Sequence, residues 1–101
     1  MKYRVQKDPA ETRIQLFESL GFKDHSEFRR LIAEVVEGKP RRVAVDLSEL
    51  KTVDSAGLGL LVILGEQLKQ IGGNFRLLRP TEAVARLLSV VQFEKVCTIE
   101  P

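Results

Sequence analysis

The sequence lacks the residues and segments that mark several common classes of protein. Its 101 residues include one cysteine, Cys97, and no tryptophan. A single cysteine excludes a disulfide framework within the chain and suits a reducing compartment. No run of about 18 apolar residues is present, which argues against a membrane-spanning helix. The residues after Met1 do not form the apolar stretch of a signal peptide, so we expect a cytoplasmic protein.

Histidine is equally scarce, because His25 is the only one in the chain. The histidine and cysteine spacings that bind zinc are absent, and so is the Gly-x-Ser-x-Gly pattern around many serine nucleophiles. The pair Gly57-x-Gly59 is too short for a dinucleotide fingerprint. We therefore expect no cofactor and no metal ion, and we predict that the protein is not an enzyme. The enzymatic alternative would use Ser55 as a nucleophile with His25 as its base.

Charge is moderate and spread along the chain. The net charge is +2, with 30% charged and 44% hydrophobic residues, a balance typical of a folded globular domain. The densest basic cluster is Arg41-Arg42 with Lys39 close by. No aromatic residues are interleaved with it, so we interpret it as a solvated loop and expect no direct contact with nucleic acid. The length fits one domain over residues 1–101.

Hydrophobic periodicity alternates between the two-residue period of strands and the longer period of helices. Asp24, followed by Glu27, is expected to begin the first helix as a capping box. The expected elements are, in order, strands over 3–6 and 12–17, a helix over 24–38, a strand over 43–47, a loop over 48–53, a helix over 58–71, a strand over 74–78, a helix from 80 and an edge strand over 96–99. Strands separated by helices favour parallel pairing. We therefore predict an α/β fold in which helices flank a mixed sheet with a mainly parallel centre.

The predicted helix after Ser55 carries more apolar residues than one face requires. We expect the sheet to be covered by Leu58, Leu61, Val62, Gly65 and Leu68. The remaining apolar residues, Leu60, Ile63 and Leu64, would then lie beside that stripe. A contiguous apolar patch next to Ser55 would favour a surface that binds a partner protein.

Two segments resemble the core motif of STAS domains, the family of bacterial anti-sigma factor antagonists. They are the strand ending Val45-Asp46-Leu47-Ser48 and the signature Asp54-Ser55-Ala56-Gly57-Leu58. The helix that ends at Gly72-Gly73 also fits, and the order of elements agrees over nearly the full length. Many members carry a glycine and an aspartate where this chain has Glu18 and Gly21. Ala56 replaces a second serine, which leaves one hydroxyl in the signature.

The resemblance implies a single STAS-like domain with about three to four helices and the function of an anti-sigma factor antagonist. Ser55 would be phosphorylated by an anti-sigma factor with serine kinase activity, and Asp54 would orient its neighbourhood. The unphosphorylated form would bind that kinase and free a sigma factor, and a serine phosphatase would reset the switch. The residues expected to contact the partner are Asp54, Ser55, Ala56, Gly57 and Leu58, with Asp24 and Ser26 near the start of the first helix.

Two alternatives remain open from the sequence. Ser55 or Asp54 lies where a helix begins, so either side chain would also serve as an ordinary N-cap. Some STAS domains are subunits of lipid-trafficking transporters or scaffolds of signalling assemblies, so the resemblance also allows a binding role without phosphorylation.

Overall fold

A computed structural model describes every residue from Met1 to Pro101. One five-stranded sheet has the order β1 (Lys2–Lys7), β2 (Thr12–Leu20), β3 (Arg42–Val53), β4 (Asn74–Leu78), β5 (Thr98–Glu100). Strands β1 and β2 are antiparallel, and every other neighbouring pair is parallel. The helices are α1 (His25–Glu37), α2 (Ser55–Gln70) and α3 (Glu82–Val90), with short 3-10 helices at Phe22–Asp24 and Phe93–Lys95. The predicted α/β fold with a mixed sheet and a parallel centre is confirmed.

The core is one cluster of 21 buried residues to which the sheet and all three helices contribute. In β3 the alternating residues Val43, Val45 and Leu47 are each completely buried in it. Phe28 from α1 and Leu61 from α2 pack into the same cluster. Burying a side chain of this size stabilises a fold by roughly 1.5–3 kcal/mol. The β3–α2 connection therefore begins from a rigid strand.

Strand β3 is longer than the sequence pattern predicts, and the loop expected over residues 48–53 is wrong. Leu50 and Val53 are buried, and β3 stays paired with β2 through Glu18↔Leu50 and Leu20↔Val53. Two register shifts between these strands break the simple alternation that the prediction used. Because β2 and β3 end side by side, the loops that follow Leu20 and Val53 lie next to each other.

Helix α2 begins at Ser55, where the capping residues predict a helix start, and three residues before the periodic pattern begins at Leu58. Its buried residues are Gly57, Leu60, Leu61, Leu64, Gly65 and Leu68. The expectation that Leu60 and Leu64 lie outside the stripe is therefore wrong, while Leu58 and Val62 are only partly buried. The physical reason is that α2 packs against α1 as well as against β3 and β4, so a wider arc of the helix is covered.

Candidate docking site at the start of α2

Ser55 is the first residue of α2, and its side chain is exposed. The N-cap residue of the helix is Asp54, in extended backbone conformation. The capping role therefore belongs to Asp54, and the Ser55 hydroxyl is not used for it. An exposed hydroxyl at a helix N-terminus, on a chain segment that leaves a rigid strand, is open to another protein.

Asp54 joins the two loops that follow β2 and β3. Its Oδ1 accepts a hydrogen bond from the backbone N–H of Gly57 at 2.8 Å, and its Oδ2 accepts one from the N–H of Phe22 at 3.2 Å. Its own N–H donates to the carbonyl oxygen of Leu20 at 3.3 Å. The hydrogen bonds from Gly57 and Phe22 lower the pKa of Asp54 from its usual 3.8. The carboxylate is thus a fixed negative link between the two loops.

Gly57 contributes shape to this site. A Cβ at this position would lie 2.3 Å from the carbonyl oxygen of Leu20 and 2.7 Å from Cγ2 of Val53. Contacts this short are forbidden, so the first turn of α2 approaches the end of β2 as closely as it does because residue 57 lacks a side chain. Gly57 is buried and faces its own chain. Among the signature residues, Asp54 and Ser55 are exposed, and Ala56 and Leu58 are half-buried.

Asp24 does not present a carboxylate to this surface, so the expectation that it lines the surface is wrong. Asp24 is only 3% exposed, and its Oδ2 accepts a hydrogen bond from the N–H of Gly21 at 2.9 Å. It makes no side-chain cap for α1, and Glu27 instead accepts from the amino group of Met1 at 3.2 Å. The predicted capping box fails because a 3-10 turn precedes α1 and points Asp24 backwards. Ser26 is exposed near the start of α1.

Phe22 is a component of the site that the sequence analysis did not identify. Its side chain is 77% exposed, while its backbone N–H is held by Asp54. Gly21, next to it, lies so close to the Asp54 carboxylate that a Cβ there would be 2.6 Å from Oδ2. Exposed aromatic side chains on fixed backbone are frequent anchors of protein interfaces. The sequence signal that could have identified Phe22 was its position after Gly21. There it lies outside the alternating pattern that would place an aromatic side chain in the core.

The family model described as Mlab, STAS domain, matches residues 3–100 of the chain. The chain belongs to the STAS domain family. A STAS-domain containing protein of Pseudomonas aeruginosa is 30% identical over 92 residues, 91% of this chain and 90% of that protein. A Thermotoga neapolitana protein, named as a candidate anti-sigma factor antagonist and homologue of TM1081, is 31% identical over 58 residues. That alignment covers 57% of this chain and about half, 51%, of the relative.

Solved structures show the same STAS fold. The crystal structure of TM1081 from Thermotoga maritima, a candidate anti-sigma factor antagonist, superposes with a TM-score of 0.89 at 20% identity, covering 98% of this chain and 86% of that chain. The anti-sigma factor antagonist SpoIIAA in its unphosphorylated form gives a TM-score of 0.77 at 21% identity, covering 97% and 86%. At these identities the likeness establishes the fold, and the fold places the STAS signature at the start of α2.

The two departures from the usual STAS pattern have a structural outcome. Glu18, where many members carry glycine, has φ of 65°, the left-handed conformation that favours glycine. Gly21, where many carry aspartate, leaves the space that the Asp54 carboxylate fills. Strand β2 thus carries a residue with a strained backbone at Glu18, next to a register shift against β3, and the turn after β2 is in contact with the carboxylate of Asp54.

No group of three or more histidine, cysteine, aspartate or glutamate side chains is placed to hold a metal ion. His25, the base of the enzymatic alternative, is exposed at the start of α1. Burial raises the pKa of the Cys97 thiol to about 11, so the nucleophilic thiolate form is disfavoured at neutral pH. None of the three α-helices combines the length and the hydropathy that crossing a bilayer requires.

Proposed function

We propose that this STAS domain is an anti-sigma factor antagonist that binds an anti-sigma factor with serine kinase activity. The observation that carries the proposal is the exposure of both the Ser55 hydroxyl and the Phe22 ring, on two loops that Asp54 ties together. The names of the Thermotoga relatives and of SpoIIAA support it. The proposed docking surface consists of Asp54, Ser55, Ala56, Leu58, Phe22 and Ser26, with Gly57 shaping it from below.

Phosphorylation of Ser55 would act on binding and spare the fold. Phosphoserine brings about −1.5 to −2 charges at pH 7. At the N-terminus of α2 the helix dipole favours that charge by about 0.3–1 kcal/mol. The same charge without a partner inside an interface costs about 3–5 kcal/mol, which weakens binding by roughly two to three or more decades. The complex therefore dissociates while the domain stays folded.

In this proposal residues 1–101 act as one non-enzymatic binding domain in the bacterial cytoplasm. The unphosphorylated domain holds the kinase and thereby frees a sigma factor for transcription. A serine phosphatase restores the hydroxyl. The nucleotide belongs to the kinase, so the STAS domain itself needs no cofactor.

The test uses four forms of the protein as bait in a lysate of the native cell: wild type, Ser55→Ala, Ser55→Glu and Ser89→Glu. Ser89 is an exposed serine on α3 and receives the same added charge away from the docking surface. We expect wild type, Ser55→Ala and Ser89→Glu to capture an anti-sigma factor kinase and Ser55→Glu to lose it. Affinity measured with the purified kinase should fall at least about 100-fold for the phosphorylated protein.

Intact mass spectrometry of protein from the native cell adds an independent readout. We expect one phosphate mass on the wild type and none on Ser55→Ala. Phosphorylated protein that binds the kinase as tightly as the unmodified form contradicts the proposal. Capture of a transporter ATPase or scaffold equally by Ser55→Ala and Ser55→Glu supports the alternative STAS role instead, which the experiment includes because the matched family model bears the name Mlab.

A further inference from the structure

A second feature lies at the opposite end of the sheet, where β2 and β3 begin. The turn between β1 and β2 and the loop between α1 and β3 line a half-open cavity of about 330 Å³. Four of the side chains that line it are cationic: Lys7, Lys39, Arg41 and Arg42. Thr12 and Val35 also line it. The STAS docking surface lies beyond the other ends of the same two strands.

The carboxylates at this cavity are already engaged with other groups. Oδ1 of Asp8 accepts hydrogen bonds from the N–H groups of Ala10 at 2.9 Å and Glu11 at 2.8 Å. Oε2 of Glu11 pairs with Nη2 of Arg76 at 2.6 Å and lies 3.9 Å from Nε of Arg42. The Arg76 guanidinium holds the pKa of Glu11 below its usual value.

Three of the four cations, in contrast, have no partner. Lys7, Lys39 and Arg41 make no ion pair within 4.0 Å, and Nε of Arg42 lies 3.9 Å from Oε2 of Glu11. Positive charges that line a cavity without matching counter-charges raise the local concentration of anions. The basic cluster of Lys39, Arg41 and Arg42, which the sequence analysis interpreted as a solvated loop, forms one wall of this cavity.

Thr12 also lines the cavity. The residue is only 7% exposed, but Arg76 Nε is the only buried side-chain polar atom without a partner, so the Thr12 hydroxyl oxygen is in contact with water. A ligand oxygen in the cavity can replace that water.

We propose that this cavity binds a small molecule through a phosphate group. A tetrahedral dianion matches a cavity lined by cations of two loops and by the Thr12 hydroxyl, whereas a carboxylate is satisfied by one arginine fork. The cavity has no aromatic lining, so it offers no platform on which a nucleobase would stack. Its volume is at the lower end of small-molecule sites, which span about 300–1,000 Å³.

The test titrates pyrophosphate into the protein at constant ionic strength and follows backbone amide signals by NMR. We expect saturable shifts over residues 7–12 and 38–42 and none over 54–58. The double variant Lys39→Asn/Arg41→Gln should bind about tenfold or more weakly, because charge-assisted hydrogen bonds are lost. Asparagine is chosen at position 39 because Lys39 has φ of 49°, which asparagine tolerates. Thr12→Val should bind several-fold more weakly at unchanged net charge.

The matched control is Arg29→Gln/Arg30→Gln, which removes the same charge from exposed positions of α1 that do not line the cavity. It should bind as the wild type does. A parallel arm measures co-sedimentation with vesicles that contain phosphatidic acid, with the same variants. Loss of binding in the cavity variants but not in the control supports the site. Binding of pyrophosphate then indicates a free phosphate compound, and binding of the vesicles indicates a lipid headgroup. Shifts that do not saturate, or an equal loss in both double variants, overturn the proposal.

Discussion

The starts of α1 and α2 look alike in the sequence but differ in the structure. Each helix follows a strand of one parallel pair, and each is preceded by an aspartate at the N-cap position. Asp54 is exposed and caps its own helix through Gly57. Asp24 is buried and bonds backwards to Gly21. An aspartate before a helix thus marks where the helix begins, while the chain before it decides where the carboxylate points.

The difference arises from the length of the connection. Val53 is followed at once by Asp54 and Ser55, so α2 begins directly at the C-terminal end of β3. Between Leu20 and α1 the chain inserts a 3-10 turn that lifts Phe22 outward and turns Asp24 inward. The short connection provides Ser55, the exposed serine of the STAS signature. The longer connection provides the exposed ring of Phe22 on the neighbouring loop.

The largest expected effect on stability concerns Gly57, because this residue lets the start of α2 approach the end of β2. Gly57→Ala places a methyl group 2.3 Å from the Leu20 carbonyl oxygen and so forces α2 away from β2. We expect a loss of about 3 kcal/mol in the free energy of unfolding, at the upper end of overpacking effects. Urea denaturation followed by circular dichroism measures it.

Gly59→Ala is the matched control, two residues along the same helix. Nothing lies within 4 Å of a Cβ at position 59. Alanine in a helix interior is favoured over glycine by about 0.5–1 kcal/mol, so this variant should be more stable than the wild type. Equal destabilisation by both substitutions would mean that the close approach at Gly57 is not what holds the two strand ends together.

Most of the fold was predictable from the sequence because it rests on periodicity. Alternation predicted β2, and helical spacing predicted α1. The full length of β3 was not predictable, because register shifts against β2 interrupt alternation from residue 48 onwards. The wider buried arc of α2 depends on contact with α1, which one sequence segment cannot reveal.

The candidate site was predictable in part. The signature placed Ser55 and Asp54 at a helix start, since capping chemistry is local. The burial of Asp24 and the exposure of Phe22 were not predictable, because both follow from a 3-10 turn between β2 and α1 that the capping-box pattern did not reveal. Gly57 was assigned to partner contact, whereas its neighbour is the Leu20 carbonyl of its own chain.

A smaller effect separates the two aspartates directly. Asp24→Ala removes the buried acceptor of the Gly21 N–H, and we expect a loss of about 1–3 kcal/mol in stability because that donor is left unpaired. Asp54→Ala frees the N–H of Phe22, which is exposed so that water replaces the lost acceptor, and the N–H of Gly57, whose hydrogen bond is only partly buried. The loss of stability should be smaller for Asp54→Ala than for Asp24→Ala.

Amide hydrogen exchange sharpens this contrast. Asp54→Ala should speed exchange at Phe22 and Gly57, while Asp24→Ala should speed it first at Gly21. Kinase binding should weaken in Asp54→Ala, because the ring of Phe22 loses its fixed backbone. If both variants lose binding equally at equal stability, the two carboxylates support the docking surface in the same way and the comparison fails.

The smallest expected effect is the pH dependence that Asp54 contributes. Hydrogen bonds from Gly57 and Phe22 lower its pKa in the folded state from 3.8, so the unfolded state binds the proton more tightly. Its contribution to stability is therefore present above about pH 4 and is lost as the pH falls through the lower folded-state pKa. Asp54→Asn removes this contribution while keeping an amide oxygen that accepts from Gly57.

Urea unfolding of wild type and Asp54→Asn at about pH 5 and about pH 3 measures that contribution. The wild type should lose more stability between the two than the variant does. Both proteins retain a common loss, because Glu11 also has a lowered pKa through Arg76, and the difference between the two slopes isolates Asp54. Identical slopes would show that the Asp54 carboxylate does not hold its two N–H donors in solution. Ser55 would then lie on a loop that is not fixed before the partner arrives.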